Sequence, residues 1–223
     1  MKPSFYNRIY TNRKRLLIYL IALLGLGFIL LTVFVILFPP TWIDIDVSTE
    51  VQEHQNNFLD QSMTFVSWFG YTKISVSMVV LTAALFYVFK YKREALYTLF
   101  TLISGLISSV IKIIVNRPRP TDDLVRIIDK AKQQSFPSGH VLFYTMFFGF
   151  ILFLMLQLKS VNRFVRILAG GFSFLMIFLV PFSRMYLGAH WFTDVTAGIF
   201  LGIICLYFLC LLYLKKKTQL AES

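Results

Sequence analysis

An all-α bundle of six transmembrane helices, with short interfacial helices and both termini in the cytoplasm, is the fold predicted by three features of this sequence. The first is composition. Of the 223 residues, 57% are hydrophobic and 15% charged, whereas a soluble domain carries about 45–50% apolar and about 25% charged residues. The mean hydropathy of +0.69 agrees. The second is the grouping of apolar residues into six runs near the length, roughly twenty residues, that crosses a bilayer as a helix. The third is the placing of the charges between those runs. The net charge of +11 would suggest a nucleic-acid partner in a soluble protein. Here it is the Lys and Arg excess of cytoplasmic loops, and no nucleic-acid partner is expected. Residues 1–223 read as a single integral-membrane domain without internal repeats or low-complexity stretches.

The elements follow in order. Met1 to Arg15 carries five basic residues and no acid, and residues 16–38 then run without a charge. This resembles a signal peptide, but the apolar run exceeds the usual 7–15 residues and lacks a small-residue cleavage site. An uncleaved first span is expected, ended by Pro39 and Pro40. Residues 41–60 form the acidic part of the chain, with Asp44, Asp46, Glu50, Glu53 and Asp60. His54 lies there and reads as a solvated loop histidine. Phe58 to Phe69 has the pattern of a short amphipathic interfacial helix. The second span is expected at 71–89, and Lys90, Lys92 and Arg93 make a basic turn after it. The third, at 95–115, holds Ser104, Gly105, Ser108 and Ser109 for close helix contact and one charge, Lys112. A polar loop over 116–138 leads to the fourth span at 139–158, a basic turn with Lys159, Arg163 and Arg166, and a short fifth span at 167–182. The sixth covers 190–214 and stops at Lys215, Lys216 and Lys217. Cys205 and Cys210 are five apart within it. They point in different directions on a helix, so an intrachain disulfide is not expected, and they lack metal-site spacing. Both read as packing residues.

Six spans put both termini on one side. The basic arm, the two basic turns and the terminal lysines share that side and hold fourteen of the twenty-two Lys and Arg, so it is assigned to the cytoplasm. The stretches with unusual polar residues then share the extracytoplasmic face.

Three such stretches carry chemistry. In the first, Lys112 stands seven residues before Arg119-Pro120. The prolines end the helix, and two cations so placed suit a phosphate, the Arg bidentately and the Lys as a point charge. Snorkelling beside a basic loop is the plainer alternative. The second is Pro137-Ser138-Gly139-His140 before an apolar run. Ser caps a helix, Gly lets a ligand approach the backbone, and the helix start favours an anion. A plain cap with an interfacial His is the alternative. The third is Ser183 to Asp194, where Arg184 precedes His190 by six residues and Asp194 follows it by four. If the chain is helical from His190, the His and Asp share one face, and the carboxylate holds one imidazole nitrogen while the other stays free. Gly188 allows a turn into that helix.

Together these stretches resemble the three signature motifs of the type 2 phosphatidic acid phosphatase superfamily, in its membrane lipid phosphatase branch. The match runs from Lys112 to Asp194, a little over a third of the chain, with every fixed position present and in order. The N-terminal third adds only topology to it. The resemblance implies that His190 attacks phosphorus and forms a phosphohistidine. Asp194 orients and polarises His190, and His140 protonates the leaving oxygen and later helps water cleave the intermediate. Lys112, Arg119 and Arg184 hold the phosphate oxygens with the Ser138 hydroxyl and the Gly139 N–H. No carboxylate cluster suits Mg²⁺, so metal-independent hydrolysis without a cofactor is expected. A bell-shaped pH–rate profile is also expected, since one histidine must be neutral and the other protonated.

The implied substrate is a membrane lipid phosphate or diphosphate in the outer leaflet: phosphatidylglycerol phosphate, phosphatidic acid or a polyprenyl diphosphate. Arg126, Lys130 and Lys132 add positive charge suited to a second anionic group, and Asp122, Asp123 and Asp129 offset it. Vanadium-dependent haloperoxidases share the motif set, but they are soluble. A rival of another class is a non-enzymatic transporter or lipid-binding protein with a basic external site. It has no need of two histidines, an Asp and three cations together.

Overall fold

The computed structural model describes residues 5–131 and 133–221, with side chains described from Arg15 to Lys215 apart from Lys132. All regular structure among the described residues is helical. The helices are α1 (Phe5–Leu37), α2 (Trp42–Val51), α3 (Asn57–Trp68), α4 (Thr72–Val88), α5 (Lys92–Phe100), α6 (Ile103–Val115), α7 (Gly139–Gln157), α8 (Arg163–Tyr186) and α9 (Phe192–Ala221). Five segments are long and apolar enough to cross a bilayer: Arg15–Leu37, Lys92–Val115, Gly139–Gln157, Arg163–Tyr186 and Phe192–Lys215. A sixth is the pair α3 and α4, bent by 55° at their junction.

The centre of the bundle is α7. Val141, Leu142, Tyr144, Phe150 and Leu154 are fully buried, and α8 and α9 pack along its sides. The contact with α9 is close because α9 offers bare backbone. A Cβ at Gly202 would lie 2.6 Å from Thr145 Cβ, so small residues set the approach of the two helices. By contrast α1 packs on α9 and leaves Leu16, Leu23, Ile29 and Leu37 exposed, as a lipid-facing helix does. Cys205 and Cys210 are free and pack against the core.

Three helices depart from the expected spans. The third span is broken at Thr101–Leu102. Its threonine and serine hydroxyls bond backwards to the backbone, Thr98 to Glu94 O, Thr101 to Thr98 O and Ser104 to Thr101 O. The backbone there makes tight three-residue bonds, including Thr101 N to Thr98 O and Leu102 N to Leu99 O. Such hydroxyl competition loosens a helix. The fifth span is longer than 167–182 and runs through Pro181 to Tyr186. Its last turn is held by α3 and its neighbours: Ser183 Oγ donates to Met63 O and Tyr186 Oη to Asp60. The sixth helix begins at Phe192, two residues after His190. The Asp194 carboxylate accepts the Trp191 N–H at 2.9 Å, a capping bond that starts the helix there.

At the end of the bundle away from the motifs, Arg93 stacks 3.8 Å from the Tyr213 ring and donates to Tyr213 O. Tyr213 Oη in turn donates to Glu94 at 2.7 Å. These bonds tie α5 to α9.

Candidate active site

Four helix ends meet at the other end of the bundle. Lys112 is in the last turn of α6, Gly139 and His140 open α7, Arg184 is in the last turn of α8, and Asp194 is in the first turn of α9. Arg119 and His190 come from the connecting loops. Lys112, Arg119, Gly139, His140, Arg184 and His190 line one cavity of about 580 Å³. The structure therefore brings together residues that lie up to seventy-eight positions apart.

Each cation is aimed by a carbonyl or a carboxylate. Lys112 Nζ donates to Ser135 O at 3.2 Å and to Gln134 O. Asn116, in the left-handed region at φ 47°, ends α6 just beyond it; Asn tolerates that conformation better than most residues. Arg119 spans Gln133 O and Ala189 O, and its Nη1 lies 3.4 Å from His190 Nε2. Arg184 bonds Ser67 Oγ and, at 2.8 Å, the carboxylate of Asp129.

Ser138 caps α7 by backbone alone: its Oγ makes no cap bond, and no described residue partners this buried atom. His140 Nε2 and Arg184 Nε are likewise buried without a partner among the described residues. Buried polar atoms are nearly always bonded, so His140 Nε2, Arg184 Nε and the equally unpartnered Ser108 Oγ, all on residues that line the cavity, mark a place for a polar ligand. The His140 ring rests edge-on against Tyr71, centroids 5.6 Å apart. Gly70 makes room for it, since a Cβ there would lie 2.1 Å from His140 Cδ2.

His190 precedes α9 rather than sitting on it. Gly188, at φ +65°, turns the chain from α8 under Arg126 O, where a Cβ would lie 2.2 Å away. Only glycine suits that turn. His190 Nδ1 then stands 3.6 Å from Asp194 Oδ2. The Ser135 hydroxyl bonds the same carboxylate oxygen and lies 3.5 Å from Nδ1. Burial, then Arg119, Lys112 and Arg184, hold His190 well below the ordinary histidine value, so its ring is neutral at pH 7. Burial and the nearby Arg184 draw Arg119 down to about 10, which leaves it charged.

Several contributors carry no separate signal in the sequence. Ser135 and Asp129 reach the site from the 116–138 loop. The N-terminal third, which on sequence adds only topology, supplies Ser67 and Tyr71. Behind His190, Arg117 bridges the carboxylates of Asp44 and Asp194, and all three are buried. The doubled Arg-Pro announces Arg117 as a second basic residue but not which way it faces. The spacing Thr41 to Asp44 announces a helix cap, which it is, but not the partner across the bundle. Among the additional basic residues, Lys130 lines the cavity, Arg126 pairs with Asp60 at 2.8 Å outside it, and Lys132 lies outside the described residues. His54 is exposed, 3.7 Å from Glu53.

Residues 93–218 match the family model of the PAP2 superfamily, more than half of the chain. The chain belongs to the PAP2 superfamily. It is 29% identical over 159 residues to phosphatidylglycerophosphatase B of Bacillus subtilis (strain 168), a match covering 68% of this chain and 73% of that protein. It is 29% identical over 168 residues to lipid phosphate phosphatase delta of Arabidopsis thaliana, covering 70% of this chain but 39% of that longer relative. The fold resembles the crystal structure of a transmembrane PAP2-type phosphatidylglycerolphosphate phosphatase from Bacillus subtilis. The TM-score is 0.75 at 23% identity over 87% of this chain and 96% of that one. It also resembles Aquifex aeolicus LpxE, with a TM-score of 0.59 at 19% identity over 78% and 98% of the two chains. This PAP2 chain is thus a multi-pass membrane protein with the helical fold of that family's membrane members.

Proposed function

We propose that this PAP2 protein is a lipid phosphatase that cleaves a phosphate headgroup through a phosphohistidine at His190. The observation that carries the reading is the two-sided setting of His190: one ring nitrogen is backed by a buried carboxylate, and the other faces a cation-lined cavity. In the first step the lone pair of His190 Nε2 forms the bond to phosphorus, and the bond from phosphorus to the lipid oxygen breaks. His140 gives its proton to that oxygen. In the second step water attacks phosphorus, His140 takes a proton from the water, and His190 leaves. Lys112, Arg119 and Arg184 balance the charge on the three non-bridging oxygens, with the Ser138 hydroxyl and Gly139 N–H. Phosphoryl transfer needs little more than this positioning and charge. A cavity lined by Lys112, Arg119, Lys130 and Arg184 against one described carboxylate, Asp129, disfavours Mg²⁺, so hydrolysis proceeds without a metal.

The cavity supports a lipid substrate. It reaches out between α4 and α6, where Val76 and Leu106 are exposed on the bundle surface. Acyl chains can remain in the bilayer while the phosphate enters sideways. Phosphatidylglycerol phosphate heads the candidates because it is named for the Bacillus relatives; phosphatidic acid and polyprenyl diphosphates follow. The basic arm and turns favour a site on the extracytoplasmic face.

The test is phosphate release by the purified protein against those three lipids, with and without chelator, beside His190→Ala. Release that persists in the variant overturns the nucleophile. No release from any lipid overturns the enzyme and leaves a lipid-binding or transport role.

A further inference from the structure

Behind His190, away from the cavity, Asp194 belongs to a layer of charge whose other members, Asp44 and Arg117, the proposed chemistry does not use. Arg117 Nη2 donates to Asp44 Oδ2 at 2.5 Å, and Nη1 donates to Asp194 Oδ1 and to Thr193 Oγ1, the latter at 2.7 Å. Asp44 Oδ1 accepts the Thr193 N–H at 2.9 Å and the Thr193 hydroxyl at 2.8 Å. Its Oδ2 also accepts Thr41 Oγ1 at 2.6 Å. Asp44, Arg117, Thr193 and Asp194 are all 2% exposed or less. Three chain segments are thus locked together: α2, the Arg-Pro loop and the start of α9.

A buried ionic triad is an expensive way to hold a fold, because desolvation offsets most of the attraction. Packing alone would be served as well by apolar residues. What the triad supplies is direction. Arg117 fills Asp194 Oδ1, while the Ser135 hydroxyl and the Trp191 N–H fill Oδ2 on the side facing His190. The carboxylate cannot rotate without breaking several buried bonds. It cannot carry its full charge toward His190 either, because Arg117 holds one oxygen and Asp44 shares Arg117.

We infer that Asp44 and Arg117 are positioning residues for the reaction, which hold the Asp194 carboxylate in orientation and set how much negative charge it presents to His190. The inference rests on His190 being the nucleophile. It extends the working site to residue 44, outside the 93–218 region of the family match. The sign of each residue's effect follows from the pairing. With Asp44 neutralised, Arg117 bonds Asp194 alone and screens it more, so His190 protonates less readily. With both Asp44 and Arg117 neutralised, Asp194 is unscreened and His190 protonates more readily. The other charged or titratable groups facing His190 are Lys112, Arg119, Arg184 and His140. None of them changes in these variants.

The experiment uses the full-length protein in detergent with dioctanoyl phosphatidic acid as substrate and inorganic phosphate as competitive inhibitor. Asp44→Asn, Arg117→Lys and the double variant Asp44→Asn/Arg117→Met are compared with wild type. Loss of this outer support is expected to lower kcat by about 10–100-fold, the usual range for a group that orients a reacting side chain. KM and the phosphate inhibition constant are expected to stay within about twofold, since Lys112, Arg119 and Arg184 are untouched. The acid limb of kcat/KM moves to lower pH in Asp44→Asn and to higher pH in the double variant. A merely structural role would lower the melting temperature and leave the limb in place, or move it the same way in both, and either result overturns the inference. If the double variant does not fold, Arg117→Lys decides, because it keeps the charge but not the two-pronged bond: unchanged kcat overturns the inference, and a drop in kcat at constant KM supports it. Wild-type activity that survives His190→Ala strikes instead at the nucleophile, whatever these variants do.

Discussion

The two sides of His190 draw their arginines, Arg117 and Arg119, from one Arg-Pro-Arg-Pro run, with opposite electrostatics. Behind the ring, Arg117 bonds two carboxylates and the Thr193 hydroxyl, and Asp44 and Asp194 have their oxygens filled by protein donors. In front of it, two residues further on, Arg119 meets only carbonyl oxygens and the ring itself. Among the described residues, the one carboxylate lining that side is Asp129. The back is closed, one arginine against two carboxylates, whereas the front keeps cations and unpartnered polar atoms for a ligand. The contrast shows that the number of arginines in a motif says little. What matters is whether each finds an acid inside the fold.

The variants that break this contrast rank by where they fall. His190→Ala removes the group at the boundary and is expected to cost at least about 10⁴-fold in kcat, measured as lipid phosphate release. His140→Ala removes the proposed proton donor on the front side and is expected to cost about 10²–10⁴-fold. Arg119→Met takes one preorganised cation from the front, with an expected loss of about 10²–10³-fold in kcat/KM. Failure of inorganic phosphate to inhibit that variant more weakly than wild type would remove Arg119 from the cradle.

The pH profile sharpens the comparison further. His190 is held below the ordinary histidine value, so its neutral form dominates from neutral pH down past about 6.5. kcat/KM is therefore expected to keep its value as the pH falls through 6.5, and to drop only in more acidic solution. An acid limb at 6.5 or above would show that Asp194 outweighs the cations. Stability follows the same sign. The unfolded chain binds a proton at His190 before the folded one does, so the melting temperature is expected to fall as the pH drops below about 6.5.

The smallest effect is expected from Asp129→Asn. Its carboxylate holds Arg184 at 2.8 Å, and in the proposed site it would compete with phosphate for that cation. Weakening that partly exposed pair is expected to lower the phosphate inhibition constant by roughly threefold with little change in kcat. Tighter phosphate binding without a gain in lipid affinity would place Asp129 against the headgroup beyond the phosphate.

Much of this molecule is legible in its sequence. The charge-free run after Arg15, the start of α7 at Gly139 and the cluster of Lys112, Arg119, Arg184 and both histidines needed only hydropathy, turn chemistry and motif spacing. The break at Thr101 was missed because hydropathy does not register hydroxyls that bond back to their own helix. The extension of α8 beyond Phe182 to Tyr186 has no local signal, because the partners holding its last turn, Met63 and Asp60, lie over a hundred residues away. The i to i+4 spacing of His190 and Asp194 suggested a shared helix face. The pair meets instead across the cap of α9, with Ser135 beside it.

The sequence by itself determined the class of the protein and which residue types gather at one end of it. Both rest on local facts: apolar runs of membrane length, and residue types at fixed spacing. Only the tertiary structure decided which way each charge faces. Arg117 and Arg119 have the same side chain and nearly the same neighbours in sequence. Their roles divide because Asp44, seventy-three residues earlier, is buried against one and the open cavity lies against the other. Burial makes an unpaired charge untenable, and burial is a property of the folded chain.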